Sequence, residues 1–135
     1  MDKIVLDTNC LIMAISSKTE YHKIWNSFIA GNFVLCISNE ILEEYEEVIS
    51  RNINSKVAGM VIYTILTRKN VIRLDPHFHF DLIKQDKDDN KFVDCAIVAN
   101  AKCIVSEDRH FEILKSIEFP KVDVMGIDEF IKTLH

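Results

Sequence analysis

Two aspartates directly follow short apolar runs that are typical of buried strands. Asp7 ends the run 4–6, and Asp108 stands three residues after Val105, where another apolar run ends. The carboxyl ends of parallel strands lie along one edge of a sheet, so we expect these two carboxylates to share that edge. Each aspartate also has a simpler interpretation, because an acid at a strand end can cap the helix that follows.

A third acid stands alone on a helix that the sequence predicts over 89–102. Between Phe92 and Ala99, Asp94 is the only charged or strongly polar residue. A charge on a helix that is apolar on nearly every side must be paired, liganded or neutralised. A salt bridge to a lysine or arginine is one interpretation of Asp94, and a metal or active-site role is the other.

Asp89 stands at the start of the same predicted helix. An acid in this position can cap the helix or complement its dipole, although Asp86, Asp88 and Asn90 are nearby alternatives for that role. Asp89 and Asp94 are five residues apart, so they do not lie on one face of the helix. Both can still line one side of a cleft near the helix start.

Five glutamates lie between positions 40 and 47, on a helix predicted to begin after the N-cap Ser38. Its apolar face is formed by residues 41, 45 and 48, so three glutamates should be solvated: Glu40, Glu43 and Glu47. Glu44 and Glu46 flank the apolar face on opposite sides. Spacing alone does not choose between these two as a candidate for the acidic site.

Carboxylates brought together at one sheet edge would need a compensating charge. Two of them about 4 Å apart repel by roughly 4 kcal/mol at an effective dielectric near 20. Four cannot all stay ionised, so either some take up protons or a divalent cation binds. Hard oxygen ligands without a Cys/His cluster favour Mg²⁺ or Mn²⁺ over Zn²⁺. His77 and His79 form an isolated pair that we do not expect to bind the metal.

Strands and helices alternate along the chain, and no internal repeat or linker is evident. The predicted strands are 3–6, 33–37, 71–74, 103–105 and 122–125. The predicted helices are 10–15, 19–30, the helix after Ser38, 55–69, 89–102 and 127–134, with an irregular connection over 75–87. Continuous apolar strands separated by helices indicate an α/β fold with a mostly parallel sheet of four to five strands.

Composition limits the class of protein. A chain of 135 residues has the size of one domain, which we assign to 1–135. Its four cysteines are scattered within apolar runs, which favours a reducing compartment. No signal peptide is evident, and the longest apolar run, 10–15, is too short to span a membrane, so we expect a cytoplasmic protein with no membrane partner. The net charge of −5 argues against a nucleic-acid partner, unless part of the acidic excess serves a metal site.

Four sequence blocks, taken in order, resemble the PIN-domain family, in particular the VapC-type toxins of bacterial toxin–antitoxin pairs. The blocks are IVLDTN at 4–9, ISNEILEEYEEVISR at 37–51, DKDDNKFVDCAIVANA at 86–101 and CIVSEDRHF at 103–111. The resemblance runs nearly the length of the chain. It implies a three-layer α/β/α fold with an acidic metal site.

The resemblance also implies which residues form that site. The first acid of the family falls on Asp7, its helical glutamate on Glu44 and its last aspartate on Asp108. The middle acid falls on Asp89 or Asp94, and both are retained. Polar residues that assist the site in the family fall on Thr8, Asn9 and Ser106. A further acid often follows the last aspartate in the family, and no residue here clearly corresponds to it, since His110 and Phe111 precede Glu112.

For function, the resemblance implies hydrolysis of RNA phosphodiester bonds with Mg²⁺ or Mn²⁺ as cofactor. It further implies a homodimer with an apolar groove and a small antitoxin protein as partner. Several basic residues are candidates for holding the RNA backbone, although most of them should be ordinary solvated side chains: Lys18, Lys23, Lys87, Lys91, Arg109 and His110.

Two other functions compete with this interpretation. A haloacid-dehalogenase-like phosphatase also carries an aspartate after its first strand, but it needs a second aspartate two residues later, where this chain has Asn9. The other alternative is a PIN-fold module with a weak or idle site that binds RNA or assembles with other proteins. The acidic net charge leaves this alternative open, whereas the complete set of acids favours an active enzyme. Metal-dependent stabilisation or cleavage distinguishes the enzyme from the idle module.

Overall fold

One parallel five-stranded sheet forms the centre of the molecule. The computed structural model describes residues 1–84 and 86–134. The strands lie in the order β3-β2-β1-β4-β5, and every neighbouring pair is parallel. Their bounds are β1 (Lys3–Leu6), β2 (Val34–Ile37), β3 (Val71–Arg73), β4 (Cys103–Val105) and β5 (Val124–Met125). The predicted parallel α/β architecture is therefore confirmed.

Helices connect the strands. The α-helices are α1 (Thr8–Ile15), α2 (His22–Ile29), α3 (Asn39–Asn52), α4 (Ser55–Thr67), α5 (Asn90–Ala99) and α6 (Ile127–Lys132). Two 3₁₀ helices cover Lys87–Asp89 and Arg109–Ser116. Gln85, within the predicted irregular connection, and His135, the last residue of the predicted domain, lie outside the described residues. Among the residues described, no helix is long and apolar enough to cross a membrane.

The path of the chain through the sheet reverses at β1. Successive strands first proceed outward from β1 to β2 and β3, and the chain then returns to form β4 on the other side of β1. Because crossovers between parallel strands are right-handed, this reversal sends the later helices to the opposite face of the sheet. Ligands of such sheets bind at this switch point, beyond the carboxyl ends of the two central strands. Here those ends are Leu6 and Val105.

Residues of the central strands are buried because helices cover both faces of the sheet. Ile4, Val5 and Leu6 of β1 are at most 2% exposed, and all three residues of β4 are buried. All four cysteines are free and buried in this core, as their apolar surroundings predict. The rigid core fixes the positions of the residues that follow β1 and β4.

Several element boundaries differ from the sequence-based expectation. Helix α5 ends at Ala99 rather than 102, because Asn100 adopts a left-handed conformation (φ 55°) and Ala101 N–H donates to the Ala96 carbonyl. Helix α2 starts at His22, after a turn, and β5 has only two residues. The 3₁₀ helix Arg109–Ser116 was not predicted, since one long 3₁₀ segment carries no clear period of 3.6.

Residues 74–84, which follow β3, form an irregular segment as predicted, and α5 holds this segment in place. The side chain of Asn90 accepts a hydrogen bond from Ile83 N–H (2.9 Å) and donates one to the Ile83 carbonyl (2.8 Å). Asp94 accepts a hydrogen bond from Phe80 N–H (3.1 Å). Two buried polar residues of α5 therefore fix residues 80 and 83 of this segment, which has no helix or strand over 74–84.

Candidate active site

Asp7 and the loop after β4 meet at the switch point of the sheet. Asp7 N–H donates to the Val105 carbonyl (3.0 Å), and Ser106 Oγ donates to Asp7 Oδ2 (2.7 Å). The same Ser106 Oγ accepts from Asp108 N–H (3.0 Å). One hydroxyl therefore joins the acid after β1 to the acid after β4, as the strand-end argument predicts.

Asp89 lies beside Asp108, and His110 is close to both. The Nδ1 atom of His110 is 3.1 Å from Asp89 Oδ2, 3.2 Å from Asp108 Oδ1 and 3.8 Å from Asp86 Oδ2. Among the described residues, Asp89 has no side-chain capping partner in α5; Asp86 instead caps the preceding 3₁₀ helix through Asp88 N–H. The Asp89 carboxylate therefore faces the other acids rather than its own helix terminus.

Two of these acids, Asp7 and Asp89, have a raised pKa. Burial raises the pKa of Asp7, and the charges of Asp108 and Glu44 raise it further, while hydrogen bonds from Ser106 and from Thr8 N–H oppose the shift. Burial likewise raises the pKa of Asp89 to about 6. A hydrogen bond with His110 opposes this increase, and the charges of Asp108, Asp86 and Asp7 add to it. The site thus holds more negative charge than its protein surroundings compensate.

Glu44 reaches the same region from α3 but already has partners. Its carboxylate accepts a hydrogen bond from the Thr8 hydroxyl, and Lys91 Nζ lies 2.6 Å from its Oε1. The Lys91 and Glu44 side chains are 14% and 25% exposed. Glu46, the alternative on the other side of the helix, is exposed. The geometry therefore favours Glu44, as a residue that a lysine holds at the edge of the acidic cluster.

Tyr45 fixes α3 against the end of β1. Its side chain is fully buried, and its hydroxyl donates to the Leu6 carbonyl (2.6 Å). Leu6 immediately precedes Asp7, so this bond sets the distance between the strand end and the helix that carries Glu44. The sequence identified Tyr45 only as a core residue of that helix.

Asp94 contacts different groups from the other acids. The Asp94 side chain is only 5% exposed. Its carboxylate accepts a hydrogen bond from Phe80 N–H and lies 3.2 Å from His79 Nδ1. The charges that raise the pKa values of Asp7 and Asp89 come from other acids and not from Asp94. The structure therefore brings together Asp7, Glu44, Asp89 and Asp108, and it places Asp94 against the irregular segment.

The three assisting polar residues have different surroundings. Thr8 and Ser106 are buried and bind Glu44 and Asp7, respectively. Asn9 is exposed. Sequence reasoning gave no site role to Asp86 and treated Lys91 and His110 only as possible backbone contacts. The two acids before Asp89 and the histidine two residues after Asp108 were the available signals.

The residues present fit a divalent cation. One ligand atom each from Asp86, Asp89 and His110 lies within 4.8 Å of the others. Asp7 and Asp108 add carboxylates whose charges interact with Asp89. An oxygen-rich donor set with uncompensated charge is the type of environment that binds Mg²⁺ or Mn²⁺.

Comparison with known proteins identifies the family. The PIN domain family matches residues 3–110. The chain belongs to the PIN domain family. A comparison with curated protein sequences found no match. Within this PIN domain, the matched range ends at His110 and thus includes Asp7, Glu44, Asp89 and Asp108.

Two solved structures are similar in fold to this PIN domain. One is VapBC2 from Rickettsia felis bound to a DNA fragment from their promoter, with a TM-score of 0.63, 18% identity, and coverage of 92% of this chain and 98% of that chain. The other is DNA-bound VapBC from Salmonella typhimurium, with a TM-score of 0.61, 21% identity, and coverage of 94% of this chain and 99% of that chain. At these identities the similarity establishes the fold.

Proposed function

We propose that this PIN domain is a divalent-metal-dependent endoribonuclease that hydrolyses RNA phosphodiester bonds. The observation that carries the proposal is the meeting of Asp7, Asp89 and Asp108 at the switch point, where burial, with added repulsion from neighbouring acids, raises the pKa values of Asp7 and Asp89. Acids that only stabilise a fold are normally paired with cations. Three acids that lie together and stay under-compensated instead favour binding of Mg²⁺ or Mn²⁺.

The side chains of such a site would have different roles. Asp89 would hold the cation together with Asp7 and Asp108. Asp86 and His110 each offer a further ligand atom within 4.8 Å of one on Asp89. When bound, the cation supplies Lewis acidity toward the phosphate and a lower pKa for the attacking water. Ser106 keeps Asp7 and Asp108 in register through its two hydrogen bonds. Hydrogen bonds of this kind orient the metal ligands, and their loss commonly lowers metal affinity by about 10- to 100-fold.

Asp89 is the better candidate for the middle ligand. It interacts with the charges of Asp108, Asp86 and Asp7, whereas Asp94 binds His79 and the backbone of Phe80. We assign Asp94 to the positioning of the irregular segment that leads to Asp86. Glu44 is assigned to the edge of the site, where Lys91 and Thr8 orient its carboxylate.

Cleavage of RNA by variants of the full chain tests the proposal. Asp7→Asn keeps the size of the side chain and its bond from Ser106, yet removes the charge, so Mn²⁺-dependent cleavage should fall by at least about 100-fold. Asp123→Asn is the matched control, because Asp123 is a 68%-exposed aspartate that is 4.0 Å from Lys121. Equal cleavage by wild type and Asp7→Asn would contradict the assignment, and no Mn²⁺-dependent cleavage by wild type would favour the idle module.

The toxin part of a toxin–antitoxin pair is the biological role we propose. The sequence resembles VapC-type toxins, and the fold is similar to those of the two VapBC structures. Helix α4 also exposes Met60 (61%), Tyr63 (70%) and Leu66 (47%), an apolar face suited to an antitoxin or a second copy. A homodimer is expected in light scattering, and expression in a cell without a partner should arrest growth unless Asp7 is replaced.

A further inference from the structure

A cleft of about 620 Å³ opens directly beside the acidic cluster. One wall comes from the irregular segment and carries Leu82, Ile83 and Lys84. The other wall is the 3₁₀ helix Arg109–Ser116 and carries Arg109, His110 and Ile113. The lining is mainly apolar, with charged groups at its edge. This volume lies within the range of roughly 300–1,000 Å³ that is usual for small-ligand sites.

The two walls of the cleft adjoin the acidic residues along the chain. The first wall leads along the chain to Asp86, and the second begins immediately after Asp108. His110 belongs to both the cleft and the acidic cluster, because it lines the cleft while its Nδ1 lies 3.1 Å from Asp89 Oδ2. A molecule in the cleft would therefore be in contact with the edge of the proposed cation site.

Both walls are held in place by contacts to α5. The Asn90 side chain binds both backbone polar groups of Ile83, at 2.9 and 2.8 Å. Beneath the second wall, Phe111 packs edge-on against Phe92 with ring centres 6.4 Å apart. The cleft is thus formed in the free protein, which lowers the entropic cost of binding a ligand.

The charge at the rim of the cleft differs from that of the whole chain. Lys84 and Arg109 are exposed cations, and Glu112 is paired with Lys115, whose Nζ is 3.1 Å from Glu112 Oε2. The rim is therefore net positive on a protein with a net charge of −5. Guanidinium and ammonium groups at this point suit a phosphate that approaches the acidic cluster.

We propose that this cleft binds the base of the nucleotide adjacent to the scissile phosphate, with Arg109 and Lys84 on the neighbouring phosphate. The inference rests on the proposed nuclease function. Leu82 and Ile113 present apolar surface to the faces of a base, with the buried Ile83 (1% exposed) beneath them. Unpaired bases can be held by stacking between apolar side chains. The concave shape and the cationic rim favour a nucleotide over a protein, for which the apolar face of α4 is the better surface.

Nucleotide titration of the full wild-type chain tests the cleft without turnover. Uridine 5′-monophosphate and adenosine 5′-monophosphate should shift the methyl resonances of Leu82, Ile83 and Ile113 in NMR spectra. Both nucleotides should bind at least about tenfold more tightly than ribose 5-phosphate, which lacks a base. Ile113→Glu should abolish this preference for the base. Ile53→Glu is the matched control, because Ile53 and Ile113 are isoleucines with 45% and 50% exposure and the added charge is the same.

Two further variants keep the test independent of folding. Ile113→Ala adds no charge and should weaken nucleotide binding about threefold, and Arg109→Gln should weaken nucleotides and ribose 5-phosphate alike while the base preference remains. Equal binding of nucleotide and ribose 5-phosphate would overturn the proposal that the cleft binds a base. Unchanged nucleotide binding by a folded Ile113→Glu protein would also overturn it, and this second result is the one expected if a protein partner occupies the cleft. Absence of RNA cleavage by a wild type that binds nucleotides would overturn the nuclease function alone.

Discussion

Lys91 Nζ lies 2.6 Å from Glu44 Oε1, so a lysine of α5 neutralises the acid that α3 brings to the site. Both groups are largely shielded from water, at 14% and 25% side-chain exposure. The pair gives the site a fixed cation at one edge and leaves the uncompensated charge around Asp7 and Asp89. Within the described residues, the acids of the site are therefore not equivalent: Glu44 has a lysine as its counter-ion, whereas Asp89 and Asp108 lie beside His110.

Removing this lysine should destabilise the metal-free protein. Lys91→Met leaves the Glu44 carboxylate without its partner in a partly buried position, and we expect a loss of about 1–2 kcal/mol in the free energy of unfolding. Mn²⁺ should restore more stability to this variant than to wild type, because the added cation replaces the lost charge. Urea unfolding with and without Mn²⁺ measures both effects.

Arg51→Met is the matched control for that experiment. Arg51 pairs with Glu47 on the same helix at 3.5 Å, but their side chains are 64% and 73% exposed. Exposed pairs contribute less than about 1 kcal/mol, so this variant should behave like wild type. Equal responses to Mn²⁺ in both variants would show that Lys91 has no role at the cation site.

Asp89 should make the stability of the metal-free protein depend on pH. Its folded pKa is about 6, above the ordinary value of 3.8, so the folded state binds more protons than the unfolded state between these values. Stability should therefore fall as pH rises through this window. Asp89→Asn removes that dependence and should make the metal-free protein roughly 1–2 kcal/mol more stable than wild type at pH 7.

Urea unfolding of wild type and Asp89→Asn at pH 4 and pH 7, in the presence of a chelator, measures this effect. The quantity of interest is the difference in stability between the two proteins, because the titration of groups far from Asp89 cancels in this difference. A difference that stays constant between the two pH values would contradict the repulsion inferred around Asp89.

Ser106 should act through Asp7. Its hydroxyl donates to Asp7 Oδ2 and opposes the increase of the Asp7 pKa, so Ser106→Ala should raise that pKa further. Protons would then compete more strongly with Mn²⁺, and Mn²⁺ affinity should fall about threefold more at pH 6 than at pH 8. Calorimetry at the two pH values, with the exposed Ser17→Ala as control, tests this; an equal loss at both pH values would assign Ser106 a steric role only.

Asp94 and Asp89 should fail in different ways. Asp94→Ala removes the partner of Phe80 N–H and His79, so it should cost about 1–3 kcal/mol in stability. Its Mn²⁺ affinity should remain within about threefold of wild type, since its contacts are positional. A much larger loss of Mn²⁺ affinity in a folded Asp94→Ala protein would instead make Asp94 the middle ligand.

The proximity of Asp7 and Asp108 could be predicted from the sequence. Asp7 and Asp108 follow buried strands, and in a parallel sheet such positions must converge, so their proximity follows from the pattern alone. Periodicity also separated Glu44 from the solvated Glu40, Glu43 and Glu47. The choice between Glu44 and Glu46 needed the buried Tyr45, whose bond to Leu6 turns one side of α3 toward the site.

Other parts of the site could not be predicted from the sequence. The cleft lies between an irregular segment and a 3₁₀ helix, neither of which has a periodic pattern, so the approach of Leu82 to Ile113 is visible only in the fold. Asp94 was correctly expected to need a partner, but the partner is a backbone N–H and a histidine. Such contacts are set by how a loop packs, which local spacing does not encode.

Binding of Mn²⁺ to the wild-type chain and to Asp89→Asn, followed by electron paramagnetic resonance, tests the central claim most directly. Free Mn²⁺ gives a strong signal that is lost on binding, so no catalytic step enters the measurement. We predict saturable binding by wild type and an affinity at least about tenfold lower for Asp89→Asn. Equal affinities for the two proteins, or no saturable binding by wild type, would contradict an acidic cation site at the switch point of this sheet.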